Sequence, residues 1–507
     1  MFTNLEALAF AIYFLCMLGI GIYFFFKAKN AAGEQEYFLG GRKMGPWVTA
    51  LSAQASDMSA WLLMGLPGSI IAFGFGKAWI GIGLAIGTAL NWIIVAKPLR
   101  KFSKAAGDSI TLPQYFTNRF AEKNPALKII CAVVFLISFT IYVASAFSAG
   151  AKVFVRLFPG LSETTAMIIF AAIILIYTFL GGFKAVCWTD FFQGLLMLVA
   201  IMAVPIILAV SGNLDPSLAS EIVTGENGTA YKFTADFLSA TPADIISGLG
   251  WGLGYFGMPH IIVRFMSVEK PSMVKKSATV AIVWVVISLA ATIALSYLGR
   301  IFVDNGVSFA EELLTPGNQE LIFVELTRKL FHPFIAGILL SAIIAASMST
   351  ADSQLLVASS SFTSDIYKPI IRKEASDKEL LWVGRIVVVI VSVVAYIIAS
   401  SKGEGASRIM DLVSNAWALF GAAFGPVVLL SLFWKRFTYK GAIAGIIAGA
   451  AVDILWLKLF ASTGLYEIIP GFIACAIFAV IVSLIDKKPS AEVEEIFARA
   501  TDNSIDD

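Results

Sequence analysis

The chain has 507 residues, 58% hydrophobic and 14% charged, with a formal net charge of +2. With a mean hydropathy of +0.83, this excludes an ordinary soluble globule and leaves no room for a large soluble domain, so a polytopic membrane protein is expected. The small net charge says little about partners beyond membrane lipid, and nothing in it points to nucleic acid.

Windows of about 20 apolar residues predict spans near 6–27, 46–73, 77–97, 126–156, 163–182, 188–211, 239–266, 274–299, 325–362, 380–401, 408–434, 439–461 and 465–487, about thirteen helices in an all-α fold. No basic region precedes the first segment and no small-residue cleavage site follows it, so it reads as a retained helix rather than a signal peptide.

The second span carries Asp57 among small polar residues. A charge inside a span costs roughly 2.5–3.5 kcal/mol and marks an ion or substrate pathway by default; the plainer reading is a carboxylate bonded to neighbouring backbone. Gly65, Pro67 and Gly68 weaken the same helix, and interrupted helices persist at membrane depth only where freed backbone faces protein or water. Gly74 to Lys77 lacks the register of a phosphate loop.

The seventh span places glycine at 248, 250, 252, 254 and 257 before Pro259. Close helix packing through Gly-x-x-x-Gly and a second helix break explain this equally well locally. Position favours the break, because this span lies five helices after the one that bears Asp57. Two sets of five, about 46–211 and 239–434, then form an inverted-repeat core. Residues 1–45 hold the first helix and a cytoplasmic loop, 435–488 two accessory helices, and 489–507 an acid-rich, partly disordered cytoplasmic tail. In the ninth span, the hydroxyls of Ser347, Ser349, Thr350 and Ser353 can bond preceding carbonyls, or serve as neutral oxygen ligands to a small hard cation.

Lysine and arginine cluster after the first, third, seventh, ninth and eleventh spans and at Lys487 and Lys488, while the connections near 212–238 and 301–324 carry few. The positive-inside rule puts the N-terminus outside and the C-terminus in the cytoplasm. Cys16, Cys131, Cys187 and Cys475 read as buried thiols, and His260 and His332 as helix-end residues rather than metal ligands. No zinc-protease signature, nucleophile elbow or nucleotide-binding domain is present, so an enzyme is not expected.

The strings from Ser52 to Gly68, Gly181 to Asp190, Gly250 to His260, Met348-Ser349-Thr350, Gly421 to Pro426 and Tyr466 to Phe472 resemble the sodium:solute symporter family over nearly the whole chain. The resemblance implies a leucine-transporter-type 5+5 inverted repeat with broken second and seventh helices. It implies secondary active uptake of L-proline coupled to Na+ across a bacterial cytoplasmic membrane. It further implies a sodium site of backbone oxygens from Ala55, Met58 and Ala346 with the hydroxyls of Ser349 and Thr350, and a solute site at Ser59, Trp61, Tyr142, Trp251, Tyr255 and Pro259. Asp57 matches the carboxylate needed for coupling, and Arg42 and Asp190 match positions that influence gating, with a solvated helix-end role as the plain alternative. Each aromatic can equally serve packing. The sequence departs from the family pattern at Gln54, Asp352 and Ser353, and Asp352 adds a carboxylate bearing on ion selectivity. Another small solute (a different amino acid, a betaine-like osmolyte or a carboxylate), coupled to sodium or protons, is the rival within the class; a channel or sensor with a transporter-like core is the rival outside it.

Overall fold

A computed structural model describes residues 4–28, 34–158, 160–180, 182–220, 222–224, 230–232, 240–314, 318–401 and 408–502. Lys29, Gly181 and positions 503–507 lie outside the described residues. Ten helical stretches among those described are long and apolar enough to cross a membrane, so the protein is a mostly helical polytopic membrane protein.

The chain opens with α1 (Asn4–Ala28) and a short α2 (Glu34–Leu39). The second expected span is two helices, α3 (Pro46–Met58) and α4 (Gly65–Phe73), joined by a 3-10 turn at Ala60–Leu62. The third is longer than expected: α5 (Trp79–Leu90) continues through a π-helical turn at Asn91–Val95 into α6 (Ala96–Ala105). A short α7 (Leu112–Arg119), capped by Thr111, leads into α8 (Ala126–Leu157), α9 (Glu163–Leu180) and α10 (Phe183–Ser211).

The second half begins with another interrupted span, α11 (Pro242–Gly250) and α12 (Pro259–Ser267), joined by a 3-10 turn at Trp251–Phe256. Then come α13 (Val274–Arg300), a short α14 (Ile322–Leu330) and α15 (Pro333–Ser360), which runs on as a π-helix to Ile371. The expected ninth span at 325–362 is thus divided: Phe331 takes an extended conformation and Pro333 starts the next helix. The remaining helices are α16 (Asp377–Ser400), α17 (Arg408–Phe433), α18 (Tyr439–Leu459), α19 (Ile468–Ile485) and α20 (Ala491–Thr501). Two small antiparallel ribbons, β1 (Ile222–Thr224) with β2 (Ala230–Lys232) and β3 (Val303–Asp304) with β4 (Val307–Ser308), lie in the connections before α11 and α14.

Glycines set how closely the two halves approach. A Cβ on Gly83 of α5 would fall 2.1 Å from the Gly248 carbonyl oxygen, and one on Gly87 would fall 2.4 Å from Gly252. Both local explanations of the glycine-rich segment therefore hold, since it packs backbone to backbone on α5 and also breaks the helix. α3 packs between α10, α13, α12 and α15, which buries every residue from Val48 to Met58.

Two expectations fail. Cys16 is exposed, because α1 covers only one of its faces with protein, whereas the other three thiols are buried. The tail is not without structure: Ser490 caps α20, and Val493, Ile496 and Ala500 are buried as one stripe. Phe497 meets Phe102 edge-on at 5.3 Å, and the Arg119 guanidinium lies 5.1 Å from the Phe497 ring centre. The acidic residues between the apolar ones masked that amphipathic period.

Candidate ion and solute site

The break in α3 builds one side of the site. The helix ends at Met58 because Ser59 takes φ 44°, ψ −173°, a left-handed conformation that a serine adopts at a cost of about 1–3 kcal/mol. Part of that cost is offset locally, since the Ser59 hydroxyl accepts the Trp61 amide proton at 3.1 Å and starts the next turn. Carbonyls of the last turn of α3 are thereby released from helical pairing.

α15 supplies the opposite side. The Ser349 hydroxyl lies 2.8 Å from the Ala55 carbonyl oxygen and 3.2 Å from that of Ala346, so one side chain ties the end of α3 to α15. The adjacent Thr350 hydroxyl is fully buried and has no hydrogen-bond partner among the described residues. Ala55, Ala346 and Ser349 thus bring neutral oxygens together across two helices, a donor type suited to a hard monovalent cation, with the Thr350 hydroxyl one position further along α15. Asp57 is 4% exposed, and its carboxylate accepts a 2.6 Å hydrogen bond from the Tyr255 hydroxyl in the other interrupted helix. The two breaks are therefore joined side chain to side chain.

Beside them lies a cavity of about 10 Å³ lined by Asp57, Met58, Trp61, Leu84, Tyr142, Trp251, Tyr255, Val413 and Trp417. That volume holds about one water. Aromatic rings close it: Trp61 and Trp251 lie 5.8 Å apart, Trp251 stacks on Tyr466 at 5.0 Å, and Tyr255 meets Trp417 edge-on at 5.0 Å. Trp417 donates its indole N–H to the Trp251 carbonyl at 2.8 Å. Four expected solute residues, Trp61, Tyr142, Trp251 and Tyr255, meet here. Ser59 and Pro259 do not line the cavity, because one hydroxyl caps the turn and the other residue opens α12. Leu84, Val413 and Trp417 were not expected; a tryptophan within an apolar span, whose N–H needs a partner, was the one available signal.

Trp251 is also part of the wall of a larger vestibule of about 460 Å³ that includes Asp411, Tyr466, Glu467 and the Lys77–Asp244 ion pair at 3.1 Å. This vestibule opens at the end of the molecule away from the basic connections.

Toward the basic end lies a set of buried ionic contacts. Asp190 is fully buried and pairs with Arg264 at 3.0 Å while accepting the Ser52 hydroxyl at 2.7 Å. Arg264 also donates to the hydroxyls of Ser52 at 2.8 Å and Ser353 at 2.5 Å, and to the His260 carbonyl. Asp352, equally buried, accepts from Ser353 at 3.3 Å. Arg42 is 7% exposed, pairs with Asp108 at 2.7 Å and donates to the carbonyls of Met266 at 2.5 Å and Ser109 at 2.7 Å. Arg42 and Asp190 are thus buried and paired in this structure rather than solvated. Buried charges are tolerated only when paired and hydrogen-bonded, as Arg42, Asp190 and Arg264 are.

Comparison with known proteins agrees with this architecture. The chain is 46% identical to the sodium/proline symporter of Escherichia coli (strain K12) over 495 residues, 97% of this chain and 95% of that one. It is 42% identical to the sodium/proline symporter of Haemophilus influenzae (98% and 97% covered) and 44% identical to that of Staphylococcus aureus (strain JH9; 96% and 93%). In structure it resembles a Na+-coupled sialic acid symporter in a substrate-bound outward-open state, with a TM-score of 0.76 at 20% identity over 97% of this chain and 100% of that one. It also resembles Mhp1, a nucleobase-cation-symport-1 family transporter in a closed conformation, with a TM-score of 0.54 at 14% identity over 91% and 97%. The sequence pattern of the sodium:solute symporter family matches residues 37–449, and the chain belongs to that family.

Proposed function

We propose that this protein takes up L-proline together with Na+ by alternating access. The observation that carries the coupling is the contact of Ser349 with the Ala55 carbonyl at the break in α3, beside the unpartnered Thr350 hydroxyl. Relatives named sodium/proline symporter, 42–46% identical over nearly full length, support proline as the solute. In this reading Ala55, Met58, Ala346, Ser349 and Thr350 hold the ion. Asp57, joined to Tyr255, relates ion occupancy to the second broken helix.

The apolar ring of proline suits the faces of Trp61, Tyr142, Trp251 and Tyr255, and its secondary ammonium gains about 0.5–2 kcal/mol against an aromatic face. Its carboxylate suits the N-terminus of a half-helix, where unpaired N–H groups favour negative charge. Entry requires Trp251 to separate from Trp61 and Tyr466, since the closed cavity takes about one water. Release on the other side requires the Arg264–Asp190 and Arg42 contacts to part. The reading includes thirteen spans, of which 46–434 form the 5+5 inverted-repeat core and 435–488 an accessory pair. It sets the N-terminus outside and the C-terminus in the cytoplasm of a bacterial inner membrane.

Labelled proline uptake into proteoliposomes under an inward sodium gradient, against an equal potassium gradient, tests the reading. Saturable, sodium-dependent accumulation is expected. Failure of correctly folded protein to take up proline while another solute accumulates with sodium would keep the ion site and discard the substrate. Thr350→Ala should raise the sodium concentration for half-maximal uptake, whereas Trp251→Ala should raise the KM for proline.

A further inference from the structure

A groove of about 1050 Å³ opens on the membrane-facing side between α1, the segment Lys43–Val48 and the start of α10. It lies apart from the ion and solute site, at the end of the molecule that carries the basic connections. Its walls are apolar and outward-facing: Leu15 is 68% exposed and Tyr23 58%. Trp188 on α10 stacks on Phe24 of α1 at 5.8 Å, bridging the groove at one end. The stretch of α1 that lines it, from Leu15 to Phe24, rises about 14 Å.

Two glycines keep the slot open. A Cβ on Gly19 or on Gly45 would meet nothing within 4 Å. Helix contacts elsewhere in this protein use glycine to bring backbones together, whereas these two face open space inside the groove.

The mouth of the groove is basic. Lys43 is exposed and has no anionic partner among the described residues, and Lys184 lies 3.9 Å from Glu36, a loose pair. Just beyond, Lys276 sits 5.9 Å from the centre of the Trp47 ring. A further acidic group near this mouth is Glu269, exposed and joined to Met44 through its backbone. Indoles at Trp47 and Trp188 set the depth, because tryptophan favours the boundary between headgroups and acyl chains. Basic pockets between membrane helices bind anionic headgroups.

We infer that this groove binds an anionic phospholipid, one acyl chain lying between α1 and α10 and the phosphate over Lys43 and Lys184. The apolar walls alone would accept any acyl chain; the lysines select the negative headgroup.

Native mass spectrometry of the purified full chain, titrated separately with phosphatidylglycerol and with phosphatidylcholine of identical chains, tests this. The wild type should retain phosphatidylglycerol more tightly. Replacing exposed Lys43 and half-buried Lys184 together, Lys43→Gln/Lys184→Gln, should weaken phosphatidylglycerol binding about thirtyfold while leaving phosphatidylcholine unchanged. Gly19→Leu, which fills the slot without a clash, should weaken both lipids. Equal retention of the two lipids by the wild type, or a headgroup preference that survives the double substitution, overturns the anionic assignment. Unchanged binding of both lipids to Gly19→Leu overturns the location.

Discussion

Arg264 and Asp190 meet at 3.0 Å with 1% and 0% of their side chains exposed, so neither charge can be relieved by water if the other is removed. Breaking such a buried pair from one side costs about 3–5 kcal/mol. The two sides are not equivalent. Asp190→Asn leaves Arg264 with Ser52, Ser353, the His260 carbonyl and the field of Asp352, whereas Arg264→Ala strands two buried carboxylates. Arg264→Ala should therefore lower the unfolding temperature in detergent more than Asp190→Asn, and adding Asp190→Asn to it should restore part of the loss. The opposite ranking would show that Arg264 is not the balancing charge. Arg264 was within reach of the sequence reading, since it falls inside the predicted span 239–266 and obeys the same cost rule that singled out Asp57. Its place at the end of that span groups it with the basic cluster that follows the seventh span. The same rule singles out Asp57, but its partner Tyr255 lies 198 positions away and no local pattern relates the two. Ser59 and Pro259 illustrate a different limit: spacing marks a helix break, but not whether a side chain there faces the cavity or caps the turn.

The helices carry their own tests. Gly87 of α5 meets the Gly252 backbone, while Gly19 of α1 has open space above it. Overpacking of a close backbone contact costs about 1–3 kcal/mol. Gly87→Ala should thus lower thermal stability and uptake together, with Gly19→Ala close to silent; equal effects would remove the packing account of the contact between α5 and the turn after α11. For α20, Phe497→Ala deletes the ring between Phe102 and Arg119. Trypsin should then cut at Lys487 and Lys488 several times faster, because undocking frees the backbone ahead of the helix. The hydropathy windows found most helices because a bilayer demands some 20 apolar residues in a row. They missed α20 and the α5–α6 continuation, whose residues pack on protein at the membrane boundary and mix charges with apolar positions.

At the scale of the molecule, the vestibule and the ionic contacts at the basic end lie on opposite sides of one closed aromatic cluster. Net inward movement of one positive charge per cycle gains about 2.3 kcal/mol from 100 mV, nearly fiftyfold in accumulation. Proteoliposomes given an inside-negative potassium diffusion potential should concentrate proline further than at zero potential; an unchanged plateau would mean that no net charge crosses. Ion and solute must also help each other equally: whatever factor sodium adds to proline affinity, proline adds to sodium affinity. The aromatic cluster has a consequence of another kind. Trp61 and Trp417 each neighbour Trp251, at 5.8 Å and 6.4 Å between ring centres, close enough for their ultraviolet transitions to couple. Near-ultraviolet circular dichroism depends on such fixed ring arrangements. Parting of Trp251 from Trp61 should dim that signal, so the protein carries an unlabelled optical readout of its own opening, one that Trp61→Phe would weaken.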